Sequence, residues 1–318
     1  MTLTQLKYIV AIDTYRHFGT AAEKTFVSQP TLSMQVQKAE DELGAKLFDR
    51  SKQPVVPTQL GTEVIEQARK VLAEMEILDQ MVQIRLGVIA GQLKIGVIPT
   101  LAPYLLPLFI QSFTDRYPGV KLIMSELTTE MIIANLRSGK IDIGILVTPL
   151  QEAGIKEFPL FYEKLLAYVS KKHISDGKSC IAPSDIDPKK LWLLEEGHCF
   201  RSQIMNICAL KYSAQDQVKL IYESGSIETL RRMIDTNDGI TIIPELATID
   251  MNTEQLGRVR HFQEPEPMRE VSIVVHRDYI KKKLISILTE EIRACLPDNI
   301  RNNTDSNTIP ISKPQYQQ

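Results

Sequence analysis

From Pro57-Thr58 to about Arg85 the chain sustains one helical repeat. Val64, Ala68, Val71, Met75, Leu78 and Val82 follow in alternating steps of four and three, which is a heptad seam. At about 1.5 Å per residue such a helix spans roughly 40 Å. An apolar seam of that length needs a second surface to cover it. Two are open: the chain's own C-terminal part, or the same helix of a second copy. The seam also divides the chain. Its 318 residues suit two or three domains. The expected division is a small domain at 1–58, a dimerisation helix and hinge at 59–90, a large domain at 91–297 and a polar, disordered tail at 298–318.

The first segment reads as three helices. Leu3, Leu6 and Val10 recur at helical spacing over 3–15. Gly19 breaks the chain, and Thr20 with Glu23 forms a capping box that starts a short second helix. Ser28 then caps a third helix over 29–43, ended by Gly44. Leu32, Val36, Ala39 and Leu43 share its inner face. Ser28, Gln29, Pro30, Thr31, Ser33, Gln35 and Lys38 remain at its start or outside, where a recognition helix meets base edges. The acidic run Glu40-Asp41-Glu42 is expected at the far end, away from DNA. Arg50 and Lys52 lie in a turn that faces phosphates. The segment holds seven Lys/Arg and six Asp/Glu, so phosphate attraction has to come from placement and not from bulk charge.

Beyond this generic pattern, "AAEKTFVSQPTLSMQVQKAEDELGAKLFDRS" followed by "PTQLG" resembles the LysR-type transcriptional regulators over nearly the whole segment. The resemblance implies a winged helix-turn-helix on double-stranded DNA. It departs at Met34, where many members carry Arg. A homodimer is then the preferred cover for the seam, because two readers address the two half-sites of an inverted repeat. Family members commonly pair dimers into homotetramers, and RNA polymerase is the partner that activation implies.

Composition sets outer limits. Apolar residues make up 43% and charged residues 24%, with a net charge of −2. No apolar run approaches the roughly 18 residues of a membrane span. The start, Met1 to Lys7, lacks the pattern of a secretory signal, so a cytoplasmic location is expected.

From Gln92 onward strands and helices alternate, which argues for mostly parallel sheets with helices on both faces. The expected lobes are 91–163 with 266–297, and 164–265. Strands are expected at Ala167–Ser170, Leu191–Leu194, Lys219–Tyr222 and Ile240–Ile243, among others, with a last helix over 280–295. The whole is α+β and multi-domain, with a two-lobed α/β sensor like that of periplasmic binding proteins. Ligands in such folds sit near strand ends and helix starts, where Pro99-Thr100 and Thr128-Thr129 fall.

Four cysteines are present: Cys180, Cys199, Cys208 and Cys295. Cys199 falls at the start of a helix, flanked by His198 and Arg201, a setting that favours the thiolate. Cys208 would be buried, four residues after Ile204. Across nine helical residues the two lie roughly 13 Å apart, whereas a disulfide needs roughly 4.4–6.8 Å between Cα atoms. A bond between them requires unwinding. A metal site built from His198, Cys199 and Cys208 lacks a fourth ligand, and no metal or cofactor is expected. Cys180 and Cys295 read as bystanders, the latter in the core of the last helix.

"GHCFRSQIMNIC", "IPTLAPYLLP" and "EPEPMREV" resemble the redox loop and pocket segments of the peroxide-sensing LysR-type regulators. That resemblance implies a sensor of hydrogen peroxide in which Cys199 is oxidised and Cys208 condenses with it. Thr100, Thr129, His198 and Arg269 then shape the peroxide pocket. It also implies activation of antioxidant genes and a glutaredoxin- or thioredoxin-type reductant. Ser202 replaces an acidic residue common in these proteins. Two other readings remain at this stage. One is a LysR-type regulator that answers a small-molecule effector in the interlobe cleft. The other is a two-cysteine peroxidase, disfavoured by the reader and the seam, so no enzyme is expected.

Overall fold

The structure, a computed structural model, describes residues 1–85, 89–172, 180–194, 199–207, 226–279, 281–304 and 308–309. It forms two compact units. One comprises Met1–Gly91 with the short segments Arg137–Lys140 and Asp278–Lys282. The other comprises Gln92–Leu136, Ile141–Arg277 and Lys283–Gln318.

In the first unit, helix α1 (Leu3–Tyr15) starts at a reciprocal cap. The Thr2 side chain accepts from the Gln5 amide, and the Gln5 side chain accepts from the Thr2 amide. Helix α2 (Phe18–Lys24) begins earlier than expected. His17 has the extended dihedrals of a cap, φ −150° and ψ 125°, and its Nδ1 accepts from the Thr20 amide at 3.2 Å. Thr20 is therefore inside the helix, and Gly19 is part of it rather than a break. Helix α3 (Gln29–Leu43) starts where expected, with Ser28 Oγ accepting from the Thr31 amide. It stops at Gly44, whose φ of 68° suits glycine. Leu32, Val36 and Ala39 are fully buried, but Leu43, at the last turn, is 41% exposed. Strands β1 (Phe48–Asp49) and β2 (Val56–Pro57) pair antiparallel as a short wing.

Helix α4 (Gln59–Arg85) divides the seam that the heptads suggested. Ile65 and Ala68 are buried, and Val64 is partly buried against the three-helix core. Val71, Leu78 and Val82 are 38%, 53% and 52% exposed. The start of α4 thus belongs to the reader's own core, and only the later positions offer an uncovered surface. The join is tight. Thr58 Oγ1 accepts from the Gly61 amide at 2.9 Å, and the Thr58 amide donates to the Leu47 carbonyl at 2.9 Å. A Cβ at Gly61 would fall on that Leu47 carbonyl oxygen.

The second unit is built on one sheet in the order β4-β3-β5-β10-β6-β9-β7, with β8 also on β6. Its strands are β3 (Gly91–Val97), β4 (Val120–Glu126), β5 (Ile143–Thr148), β6 (Ile155–Val169), β7 (Cys180–Ile181), β8 (Ile240–Pro244), β9 (Val259–Phe262) and β10 (Met268–His276). Its helices are α5 (Ala102–Arg116), α6 (Thr129–Arg137), α7 (Cys199–Ile207), α8 (Ile227–Thr236), α9 (Thr253–Leu256), α10 (Lys282–Cys295) and α11 (Asp298–Arg301). The sheet is mixed where mostly parallel strands were expected. β3 runs parallel to β5, but β10 is antiparallel to both β5 and β6. The cause is the crossing itself: β6 leaves one lobe, β10 returns, and paired outgoing and returning strands must oppose. β6 pairs with β10 up to Lys164 and with β8 from Leu165 on.

Three further differences emerge. Leu191–Leu194 is no strand: a 3-10 turn at Pro188–Lys190 leads into a single bridge, Leu191 to Ile240. The expected strand Lys219–Tyr222 lies outside the described residues. The tail is partly structured. α11 buries Ile300, Asn303 Nδ2 donates to the Tyr162 carbonyl at 3.1 Å, and Ile309 donates its amide to the Met268 carbonyl at 2.8 Å. Among the described residues no helix is long and apolar enough to cross a membrane.

Replacing Gly61 by Ala should lower the unfolding free energy of the first unit by about 1–3 kcal/mol, the range for overpacking at a closed contact. Urea unfolding followed by circular dichroism measures it, and an unchanged midpoint would show that the approach is not tight.

Candidate functional site

The reader's outer surface is organised by a residue that the sequence reading placed elsewhere. Glu40 does not sit at a solvated far end; its side chain is fully buried. Its carboxylate accepts from the Leu47 amide at 2.9 Å, from Lys46 Nζ at 3.2 Å and from Arg50 Nη2 at 3.4 Å. The clue lay in its phase, eight residues after Leu32 and four after Val36 on the inner face of α3. Asp41 and Glu42 do face solvent. Arg50 then lies 4.9 Å above the Phe18 ring and donates to Ser33 Oγ at 3.2 Å. A buried acid therefore ties the wing's basic residues to the recognition helix.

Gln29, Pro30, Thr31 and Lys38 are exposed on α3, while Ser33 and Gln35 are half-buried. Gln5, a residue not singled out in the sequence, donates from Nε2 to Gln35 Oε1 at 3.4 Å. Lys52 pairs with Asp49 at 3.8 Å, and Asp49 also accepts from the hydroxyl and amide of Ser51. These bonds, the hydroxyl first, hold the Asp49 carboxyl below its usual range.

In the second unit, Thr100 and Arg269 are brought together. Arg269 Nη1 donates to Thr100 Oγ1 at 3.3 Å, and Nη2 to the Thr100 carbonyl at 3.2 Å. Both residues are buried, Arg269 completely. The guanidinium is also paired with Glu163, with Nε to Oε1 at 2.9 Å and Nη2 to Oε1 at 2.8 Å. Glu163 accepts the Leu246 amide on its other oxygen at 3.0 Å. Burial pushes the Glu163 carboxyl up, against the pull of Arg269 and that amide. Glu163 was not anticipated, because nothing in a strand pattern marks an acid as buried. Nearby, Tyr104 donates to Glu228 Oε1 at 3.0 Å, and Arg231 clamps the other oxygen of Glu228 at 2.6 Å. Burial, then the Glu228 charge, raises the Tyr104 phenol far above its usual value, so it stays a neutral donor.

Thr129 is buried at the start of α6. Cys199 is the first residue of α7, which continues to Ile207. His198 and Cys208 lie outside the described residues. Within α7, Gln203 and Ile204 are buried, and Gln203 Nε2 donates to the Ile309 carbonyl at 3.1 Å. Cys180 is exposed. Cys295, expected in the core, is half-exposed because α10 ends there.

A winged reader, a long helix and a two-lobed sensor define a DNA-binding regulator, and the chain belongs to the LysR family. The bacterial regulatory helix-turn-helix of the lysR family matches residues 3–62, and the LysR substrate binding domain matches residues 87–295. The chain is similar to the DNA-binding transcriptional dual regulator OxyR of Escherichia coli, at 36% identity over 92% of this chain and 95% of that one. It is also similar to the structure of full-length OxyR from Pseudomonas aeruginosa carrying C199D. There the TM-score is 0.75 and identity 35%, covering 93% of this chain and 99% of that one. A hydrogen peroxide-bound OxyR mutant from Corynebacterium glutamicum gives a TM-score of 0.60 at 27% identity, over 92% of each chain.

Two outcomes follow. Glu40→Ala should cost about 1–3 kcal/mol of reader stability, because it leaves the buried Leu47 amide without its acceptor while Lys46 and Arg50 turn to solvent; urea unfolding reads the loss. Arg269→Met, which strands Glu163, should cost about 3–5 kcal/mol in sensor stability. Adding Glu163→Gln should restore more than 1 kcal/mol of that, about what separates a stranded charge from a stranded amide. Equal unfolding midpoints for the single and double variants would contradict the pairing.

Proposed function

We propose that the chain is a peroxide-responsive transcription regulator whose switch is the thiol pair Cys199 and Cys208. The observation that carries this is the position of Cys199 as the first residue of α7, with α7 unbroken to Ile207, the residue before Cys208. A helix start favours the thiolate. The named functions of the relatives, and a relative's peroxide-bound structure, supply the oxidant. The Cys199 thiolate attacks one peroxide oxygen. The O–O bond breaks, hydroxide leaves and takes a proton to become water, and the sulfur is left as sulfenic acid. The Cys208 thiol then attacks that sulfur, an S–S bond forms, and the sulfenic oxygen departs as a second water. From Cys199 to Ile207 an intact helix rises about 12 Å. The disulfide therefore requires α7 to unwind, which releases Gln203 and Ile204 from their buried places.

Thr100, Thr129, His198 and Arg269 are the proposed pocket, with Arg269 held by Glu163 so that its orientation is set before peroxide arrives. α3 and the wing bind double-stranded DNA through Gln29, Thr31, Ser33, Gln35, Lys38, Arg50 and Lys52. Val71, Leu78 and Val82 pair two copies, and dimers pairing into tetramers place four readers on inverted-repeat sites. The oxidised form recruits RNA polymerase to antioxidant genes, and a cytoplasmic glutaredoxin- or thioredoxin-type reductant resets it.

Intact mass and peptide mapping before and after stoichiometric peroxide test the switch. The expected result is loss of two hydrogens between Cys199 and Cys208, with an altered DNA footprint, and neither change in Cys199→Ser. Two free thiols after treatment, or a Cys199→Ser variant that still responds, would sink the proposal.

A further inference from the structure

The outward face of α3 offers fewer free hydrogen-bonding groups than its residue types suggest. Thr31 Oγ1 lies 2.8 Å from Ser28 Oγ. Ser33 Oγ accepts from Arg50, and Gln35 Oε1 accepts from Gln5. Each of these oxygens has a partner within the reader, so what remains to them is chiefly donor capacity, the Gln35 amide nitrogen included. Met34, between Ser33 and Gln35, is 61% exposed. With Pro30 before it and Lys38 after it, at intervals of four, it forms one exposed ridge of the helix. Phe26, in the turn that delivers α3, is 94% exposed at a φ of 58°, a conformation that side chains other than glycine rarely adopt. Large apolar groups are thus exposed at and just before a helix some of whose polar oxygens already have partners within the reader.

In the major groove the apolar mark of a base pair is the thymine methyl group. We propose that Met34 is a specificity-determining residue that packs on a thymine methyl, with Lys38 one turn further along the ridge left for a phosphate. This rests on α3 being the helix that reads bases. Part of the recognition is then apolar, which suits a segment with only seven basic residues against six acidic ones. Apolar contact is not weakened by salt as phosphate contact is.

The test uses the full-length protein. Its preferred site is selected from random duplexes, and each thymine of that site is replaced in turn by deoxyuridine, which lacks only the methyl. Wild type should lose about fourfold in affinity at one thymine per half-site, the effect of withdrawing one methyl from apolar contact. Met34→Ala should bind the thymine and uracil duplexes equally. Met34→Leu should keep part of the preference. Met34→Arg should steepen the salt dependence by about one unit of slope, as one added phosphate contact does. Because Met34 is exposed, circular dichroism should show all three variants folded. Methyl sensitivity that survives in Met34→Ala, or a selected site with no methyl-sensitive thymine, overturns the assignment. A selection that yields no preferred sequence overturns the reading of α3 as well.

Discussion

The sensor depends on one fully buried ion pair. Arg269 and Glu163 face each other in register on β10 and β6, the two strands that cross between the lobes. Through Thr100 the pair reaches the segment that follows β3, and through the Leu246 amide it reaches the turn after β8. Taking two charges out of water is expensive, and the attraction between them repays it only when the remaining donors and acceptors are satisfied. Here they are satisfied by groups from both lobes. The pair is therefore satisfied only in an arrangement that brings β6, β10, Thr100 and Leu246 together. It also fixes a guanidinium and a threonine beside Met268, whose carbonyl takes the amide of Ile309, the tail residue that Gln203 of α7 bonds.

Much of this architecture could be read from residue spacing, and the failures have physical causes. The start and end of α3 were legible because Ser28 and Gly44 act through the backbone beside them. Glu40 was misplaced because acidity was weighed above helical phase. The seam was legible as apolar spacing, but spacing does not say which surface covers it, so the division after Ala68 stayed hidden. Of β6 (Ile155–Val169) only the end was anticipated, as Ala167–Ser170, because its buried face is continuous there while the earlier part mixes buried and exposed positions. The tail read as disordered on composition, yet its asparagines spend their amides on Glu245 and the Tyr162 carbonyl. Of the candidate site, Thr100 was legible from its place after a strand as well as from family likeness, and Arg269 from family likeness alone. Glu163, which holds Arg269, carries no local mark at all.

The reader repeats the sensor's device in smaller form. Glu40 is a buried acid that gathers two basic side chains and a backbone amide. It joins α3 to the wing much as Glu163 joins β6 to β10. In both places a carboxylate without solvent contact orients a basic side chain. Net charge is therefore a poor guide here, because part of the acid count is spent on orienting bases rather than opposing them.

The way α4 begins has a mechanical consequence. Its first turns, through Val64 and Ile65, are part of the core that also holds α3. No joint separates the shaft from the head. A twist applied to the exposed length around Val71, Leu78 and Val82 would turn the reading helix with it, and the bending stiffness of an α-helix would be the main source of slack. The first unit is in this sense a key whose blade and stem are cut from one piece.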